Sequence, residues 1–291
     1  VDLTYRCNMG CNVCYNPIKP APDMDFEYFT EMVKQLPEYT EIRLMGGEPT
    51  IHKNFLDFVD VVHRYGHGAC ISTNGKRFAR DINLVKEVKR IRQLHHNKKG
   101  KMKIHLDVSG GKSEPGFAGE DNKYYKIIHN EEAWEEKKQA MVNMEQVGLG
   151  RLTIAGILIR DLNEDIIPDL FSIAEDHKKI VREVAFRSQG KVGRWVGDAE
   201  PYTTNDWLRL MEHYGCLVDY SKKDVIMAGW KSDKCKGKNC CMHLWHDKPK
   251  LSVSWIDFLT KACWLRGQLV EGTENIEYMF ESIQANDWAK Y

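Results

Sequence analysis

Three cysteines near the start of the chain are the residues best suited to chemistry. Cys7, Cys11 and Cys14 follow one another at the spacing C-x3-C-x2-C, with an aromatic residue, Tyr15, directly after them. Cysteine thiolates are the usual protein ligands of iron–sulfur clusters. Three of them on one short loop can therefore hold three irons of a [4Fe–4S] cluster and leave the fourth iron open. The alternatives are a structural zinc site, which normally takes four nitrogen or sulfur ligands, and three unrelated buried cysteines.

This cysteine spacing resembles the signature of the radical S-adenosylmethionine (radical SAM) superfamily. A second motif, Gly46-Gly47-Glu48-Pro49, supports the resemblance because it follows the second predicted strand. The resemblance implies that the open iron chelates the amino and carboxylate groups of SAM. Reduction of the cluster then yields a 5′-deoxyadenosyl radical, which abstracts a hydrogen atom from the substrate. It also implies that the Gly46–Pro49 loop binds the SAM amino group and that Tyr15 flanks the adenine. Glycines at such a strand end allow the backbone to approach a ligand closely.

Polar residues at the ends of four later predicted strands match further SAM-binding positions of that superfamily. The resemblance implies contacts with the SAM ribose, carboxylate or adenine for Asn74, Asp107, Ser109, Asn163 and Arg187. Asp107 and Ser109 are two residues apart on a strand, which puts their side chains on the same face. An ordinary Asn-Gly turn is the alternative for Asn74, and a surface or substrate-facing arginine is the alternative for Arg187.

The elements that position these residues form a repeating pattern. Strands are predicted at 1–6, 41–45, 69–72, 102–108, 151–159 and 181–186, and helices at 25–36, 54–65, 80–95, 131–147 and 165–177. Alternating strands and helices predict an α/β fold with a parallel sheet and right-handed crossovers. Six units predict a partial (β/α)6 TIM-like barrel over residues 1–200, with its ligand-binding motifs at the carboxyl ends of the strands.

A second group of cysteines lies in the remaining segment, residues 201–291. Its spacing resembles the SPASM/Twitch extensions of radical SAM enzymes, which hold auxiliary [4Fe–4S] clusters, although one interval differs by one residue. The resemblance implies one auxiliary cluster with Cys216, Cys235 and Cys263 as ligands and either Cys240 or Cys241 as the fourth. The cysteine left over is a candidate catalytic hydrogen donor. A zinc site, a cluster with an open iron for substrate, disulfides and a spare buried cysteine are the alternatives, and Cys70 is expected in the core.

Bulk composition narrows the class of protein. The 291 residues carry a formal net charge of +0, with 42 basic and 42 acidic side chains, which argues against a strongly basic nucleic-acid surface. We find no apolar run of membrane length and no visible leader, although the chain begins at Val1 rather than Met. Nine cysteines, an odd number, favour a cytoplasmic metal or redox protein over a secreted disulfide framework.

These features predict a radical SAM enzyme, and we favour epimerisation of a C–H centre in a small polar molecule such as an amino sugar. A dehydrogenase and a maturase that crosslinks or epimerises a ribosomally made precursor peptide are the alternatives. The partners implied are the small substrate or a precursor peptide, and an electron donor such as flavodoxin or ferredoxin. A non-enzymatic iron–sulfur electron-transfer or scaffold protein would lack SAM cleavage, and the Gly46–Pro49 motif argues against it.

Overall fold

The main sheet contains six parallel strands in the order in which they occur along the chain. The computed structural model describes residues 1–14, 16, 22–36, 39–109, 127 and 133–189, scattered positions from 194 to 214, and the backbone of six short strands from 216 to 270. The sheet strands are β1 (Asp2–Thr4), β2 (Glu41–Gly46), β3 (Gly68–Thr73), β4 (Met102–Asp107), β5 (Leu152–Leu158) and β6 (Val181–Ser188). β1 and β6 are the two edges of this open sheet, so the predicted partial (β/α)6 barrel is confirmed.

Helices connect the strands as predicted, with one exception. The helices are α1 (Phe26–Gln35), α2 (Phe55–Arg64), α3 (Lys76–Arg80), α4 (Ile82–Leu94), α5 (Ala133–Val147) and α6 (Ile166–Asp176). Asp25, a residue type that favours the N-cap position, caps α1 by accepting a hydrogen bond from the Tyr28 backbone N–H. The single helix predicted over 80–95 is wrong at its start. Asp81 is extended and caps α4, accepting hydrogen bonds from the Asn83 and Leu84 N–H groups, so α3 is a separate helix.

The two faces of the sheet differ in chemistry. Leu44, Ile71, Ile104 and Ile154 are fully buried in the core that the sheet forms with the helices. The opposite face of β4 carries polar side chains at alternate positions, among them His105. Burial, followed by the nearby charges of Arg43, Arg187 and Lys103, lowers the pKa of His105 to about 3. Cys70 is fully buried in β3, as expected.

The segment beyond residue 215 contains further strands. β7 (Cys216–Asp219), β8 (Val225–Trp230) and β9 (Cys240–Trp245) form one antiparallel sheet. β10 (Trp255–Asp257), β11 (Ala262–Leu265) and β12 (Gln268–Val270) form another. The sequence pattern predicts short strands over 251–255 and 260–265, and β10 and β11 overlap them. It also predicts a loop over 110–126 and helices over 203–214 and 274–283, but the loop, the last helix and most of the helix over 203–214 lie outside the described residues.

His63 makes the stability of this fold sensitive to acid. Its side chain is buried in α2, and neither ring nitrogen has a hydrogen-bond partner among the described residues. Burial, with help from Arg92 and His95, lowers its pKa to about 4. Since this folded-state pKa lies below the ordinary value, the stabilisation from neutral His63 is complete above about pH 6.5 and is lost as the pH falls towards 4.

We therefore expect His63→Leu to reduce the loss of stability in acid. Between pH 7.5 and pH 5, the variant should lose about 2 kcal/mol less unfolding free energy than the wild type. Urea unfolding at both pH values measures this difference. His96→Leu is the matched control, because His96 is exposed. An unchanged pH dependence in the His63 variant would contradict the prediction.

Candidate active site

The three N-terminal cysteines lie on a loop that begins directly after β1. Cys7, Cys11 and Cys14 are free thiols of intermediate exposure, and the Cys14 N–H donates to the Cys11 carbonyl at 3.3 Å in a tight turn. Between them, Val13 is buried in a small apolar cluster with Ile127 and Ile159. The loop is therefore anchored by an apolar side chain while its thiols stay accessible.

The Gly46-Gly47 pair permits close contact between this cysteine loop and the end of β2. Gly47 N–H donates to the Thr4 carbonyl at 2.6 Å, and Glu48 N–H donates to the Arg6 carbonyl at 2.9 Å. A Cβ atom on Gly47 would lie 2.2 Å from the Arg6 carbonyl oxygen. The absence of side chains at these glycines therefore allows two backbone segments of the protein to approach each other. This role differs from the one predicted from the sequence, which is a close approach of the backbone to a ligand.

Glu48 is turned into the protein. Its side chain is only 1% exposed, and burial raises the pKa of its carboxyl group. One carboxyl oxygen accepts hydrogen bonds from the Thr50 N–H at 3.1 Å, the Thr50 hydroxyl at 2.6 Å and the Thr73 hydroxyl at 2.8 Å. The other accepts from the Asn74 N–H at 2.8 Å. Glu48 thus connects the loop after β2 to the end of β3.

The ends of β4 and β5 are connected in a similar way. The Ser109 hydroxyl donates to Asp107 Oδ1 at 3.0 Å and accepts from the Ile157 N–H at 3.2 Å. Asn163 donates to the carbonyls of Ser109 at 3.1 Å and Ile157 at 2.8 Å, and accepts from the Ile159 N–H at 2.7 Å. The Asn163 amide is therefore engaged by backbone groups of the protein.

Sequence reasoning missed Lys137, a buried cation at the same end of the sheet. Its side chain is 1% exposed, and Nζ donates to the carbonyls of Asn74, at 3.4 Å, and Asp107. Nζ also lies 3.5 Å from Asp107 Oδ2. The sequence did contain an indication that Lys137 is buried. Lys137 falls at helical spacing within the buried stripe of Trp134, Met141 and Met144. A lysine in such a stripe must find acceptors, since an unpaired buried charge is costly.

The cysteines affect one another electrostatically, and Cys11 is also affected by the pair of Asp107 and Lys137. Burial first, followed by the nearby Asp107 carboxylate, raises the pKa of Cys11 to about 12, and Lys137 acts in the opposite direction. Burial also raises the pKa of Cys7. The charge of Cys14 adds to the raised pKa of both thiols. Within the described residues, no three His, Cys, Asp or Glu side chains are placed to hold a single metal ion.

Comparison with known proteins identifies the family to which this arrangement belongs. Residues 1–174 match the family model of the radical SAM superfamily. The chain belongs to the radical SAM superfamily. This membership implies a [4Fe–4S] cluster and SAM as cofactors, and the three-cysteine loop and the Gly46–Pro49 motif lie within the matched residues.

Two curated relatives of this radical SAM protein have different activities. The 7,8-dihydro-6-hydroxymethylpterin dimethyltransferase of Methanocaldococcus jannaschii is 23% identical over 202 residues, covering 67% of this chain and 36% of the relative. The GTP 3′,8-cyclase of Haemophilus ducreyi is 32% identical over 99 residues, covering 30% of this chain and 28% of the relative. The chain thus spans about a third or less of the length of these relatives.

Solved structures share the radical SAM fold. Streptococcus suis SuiB bound to its precursor peptide SuiA superimposes with a TM-score of 0.53 at 14% identity, covering 74% of this chain and 45% of SuiB. TYW1 with a lysine-pyruvate adduct gives a TM-score of 0.50 at 16% identity, covering 76% of this chain and 74% of TYW1. At these identities the likeness concerns the fold alone. Among the described residues, no helix is both long and apolar enough to span a membrane.

The residues of this radical SAM chain fit the cofactors that the family implies. Three partly exposed thiols on one loop are the type of donor set that a cluster with one open iron takes. Asn74 already donates towards one of these sulfurs, Cys7 Sγ, at 3.8 Å. The structure brings Cys7, Glu48, Asn74, Asp107 and Lys137 to the same end of the sheet through the contacts given above. Their individual roles stay predictions.

The other predicted site residues are placed as follows. Pro49 is buried at the start of a 3-10 turn, Pro49–Ile51, and Arg187 is exposed near the end of β6. Tyr15 and Cys235 lie outside the described residues. In the antiparallel sheet of β7, β8 and β9, the backbone positions of Cys216 and Cys240 are both in register with Trp230, and Cys241 is in register with Gly229. In the other C-terminal sheet, Cys263 is in register with Ile256 and Val270.

Proposed function

We propose that this radical SAM enzyme binds its cluster through Cys7, Cys11 and Cys14 and epimerises a C–H centre of a small polar substrate such as an amino sugar. The observation that supports the cluster site is the group of three partly exposed thiols on one loop, one of which receives a hydrogen bond from Asn74. When bound, the cluster and SAM supply a 5′-deoxyadenosyl radical, which takes a hydrogen atom from the substrate.

The side chains around the thiols position the groups that contact SAM. We assign the amino-group site to the backbone of Gly46–Pro49, which Glu48 holds by accepting hydrogen bonds from Thr50 and Thr73. Asp107 and Ser109, joined by a 3.0 Å hydrogen bond, are assigned to the ribose and carboxylate. Lys137 keeps the Asp107 carboxylate beside the Cys11 thiol by pairing with it in a buried position.

Residues 201–291 form, in this proposal, a Twitch-like extension with an auxiliary [4Fe–4S] cluster. Backbone register supports Cys216 and Cys240 as a ligand pair. Both residues pair with Trp230 of the central strand, which puts them in one row about 10 Å apart. Together with Cys235 and Cys263 they make four ligands, and Cys241 is left as the hydrogen donor.

Hydrogen transfer by Cys241 would complete the epimerisation. The cluster and SAM, when bound, would supply the radical that takes the hydrogen atom from the substrate carbon. The Cys241 S–H bond would then break, its hydrogen atom would bond to the opposite side of that carbon, and a thiyl radical would remain. A flavodoxin or ferredoxin would supply two electrons per turnover: one for the cleavage of SAM, and one that restores the thiol together with one proton. One SAM is consumed in each turnover, giving methionine and 5′-deoxyadenosine.

Mass spectrometry in D2O separates this reaction from its alternatives. A panel of amino sugars and aminoglycosides is incubated anaerobically with enzyme, SAM and reductant. Because thiol hydrogens exchange with solvent, an epimerised product should be heavier by one mass unit, whereas a dehydrogenated product should be lighter by two. Cys241→Ala should still cleave SAM but give no epimerised product, and Cys70→Ala, which changes a buried core thiol, should behave like the wild type.

Failure of every small molecule would overturn the proposed substrate class. Modification of a co-purifying precursor peptide would then establish the alternative, a peptide maturase, and a product lighter by two mass units would establish a dehydrogenase. Wild-type activity in the Cys241 variant would remove this cysteine from the reaction.

A further inference from the structure

We propose that Asn74 is a positioning residue that raises the reduction potential of the iron–sulfur cluster by donating a hydrogen bond to the Cys7 sulfur. This inference rests on the cluster site of the proposed function. It assigns to the Asn74 side chain a role other than the SAM contact implied by the family resemblance.

The orientation of the Asn74 amide is determined by its neighbours. Its Oδ1 accepts a hydrogen bond from the Lys76 backbone N–H at 2.9 Å. A backbone N–H can only donate, so the oxygen of the amide must face Lys76 and the NH2 group must face the other way. On that other side Nδ2 lies 2.8 Å from Asn8 Oδ1, an acceptor, and 3.8 Å from Cys7 Sγ. An amide NH2 has two hydrogens, one for each of these acceptors.

The backbone of Asn74 is held from two more directions. Its N–H donates to the buried Glu48 carboxylate at 2.8 Å, and its carbonyl accepts from the buried Lys137 ammonium at 3.4 Å. Asn74 therefore has backbone and side-chain contacts that oppose rotation away from the sulfur. Such a donor is preorganised, because little conformational freedom remains to be lost when the cluster binds.

A fixed donor at a ligating sulfur favours the reduced cluster. Reduction adds one negative charge, and hydrogen bonds to the sulfurs and the local charge are among the factors that set the potentials of these clusters. The hydrogen bond is stronger where solvent is partly excluded. Burial is the main cause of the raised pKa of the Cys7 thiol, which indicates that its surroundings are partly dry. Removing the N–H donor should therefore make the cluster harder to reduce.

Potentiometric titration followed by electron paramagnetic resonance (EPR) tests this inference on the reconstituted enzyme. Asn74→Ala is the main variant, because it removes the N–H donor without adding a charge. Asn74→Asp is the second, since an aspartate oxygen keeps the Lys76 contact but its carboxylate also adds a negative charge that lowers the potential by itself. At a fixed potential near the wild-type midpoint, the ratio of reduced to oxidised cluster should fall about fivefold to tenfold. This corresponds to a midpoint lower by about 40 to 60 mV for a one-electron couple.

Two controls isolate the effect. Asn83→Asp makes the same chemical change as Asn74→Asp at an exposed position of α4 and should leave the midpoint unchanged. The spectrum of a Cys7/Cys11/Cys14→Ala variant supplies the auxiliary-cluster signal to be subtracted. A wild-type midpoint in Asn74→Ala would overturn the inference, whatever the midpoint of Asn74→Asp. So would failure of both variants to bind the cluster, since the role of Asn74 would then be assembly. Absence of SAM cleavage by the wild type would instead overturn the proposed function.

Discussion

Replacing Cys7, Cys11 and Cys14 together by alanine is expected to abolish SAM cleavage and to remove one of two clusters. The wild-type chain should bind about eight irons after anaerobic reconstitution, and the variant about four. The reason lies in the proposed function, in which these thiols are the ligands of one cluster and cysteines beyond residue 215 bind the second. Iron and sulfide analysis, with 5′-deoxyadenosine measured on the same samples, checks both parts.

Cys70→Ala is the matched control for this experiment. Cys70 is also a free thiol, but it is fully buried in β3 and belongs to the core. The control should keep about eight irons and full SAM cleavage. A wild type with about four irons that falls to none in the triple variant would contradict the auxiliary cluster. SAM cleavage that persists in the triple variant would contradict the assignment of the active site.

Gly47→Ala is expected to have the second largest effect, because it separates the two backbones that form the site. The new Cβ would lie 2.2 Å from the Arg6 carbonyl oxygen, 2.6 Å from its carbon and 2.7 Å from the Tyr5 carbonyl oxygen. All three are backbone atoms and cannot rotate away. We expect the unfolding free energy to fall by about 3 kcal/mol, and cluster binding to be lost because the loop that carries Cys7 is displaced.

Gly10→Ala provides the comparison within the same loop. Among the described residues, no atom other than those of Gly10 and its chain neighbours would lie within 4 Å of a Cβ on Gly10. The change in stability should therefore stay within about 0.5 kcal/mol, and iron binding should be retained. Urea unfolding and iron analysis of the two variants measure the difference. Similar behaviour of both variants would show that the contact of Gly47 with Arg6 is not needed for the site.

The sequence allowed the order of elements and the cysteine loop to be predicted, because both depend on local patterns. Alternating strands and helices specify a parallel sheet, and Asp25 is a suitable N-cap before the apolar stripe of α1. The break between α3 and α4 was missed. The same local rule favours Asp81 as a cap, but the basic, helix-favouring residues on both sides of it suggested one continuous helix.

The direction of individual side chains could not be predicted, because it depends on contacts between distant segments. Glu48 accepts hydrogen bonds from Thr73 and Asn74, and Asn74 in turn contacts Cys7. Each of these contacts requires the parallel register of β2 and β3 and the close packing of the cysteine loop. Lys137 pairs with Asp107 across thirty residues of sequence. Only its place in an apolar stripe distinguished it from a surface lysine.

The most direct test of the cluster site is the EPR spectrum of the dithionite-reduced enzyme recorded with and without SAM. An iron with no protein ligand is free to bind the amino and carboxylate groups of SAM, so we expect SAM to change the signal of the cluster bound by Cys7, Cys11 and Cys14. The same change should be absent from the triple alanine variant. A wild-type cluster signal that SAM leaves unaltered would contradict the binding of SAM at this site.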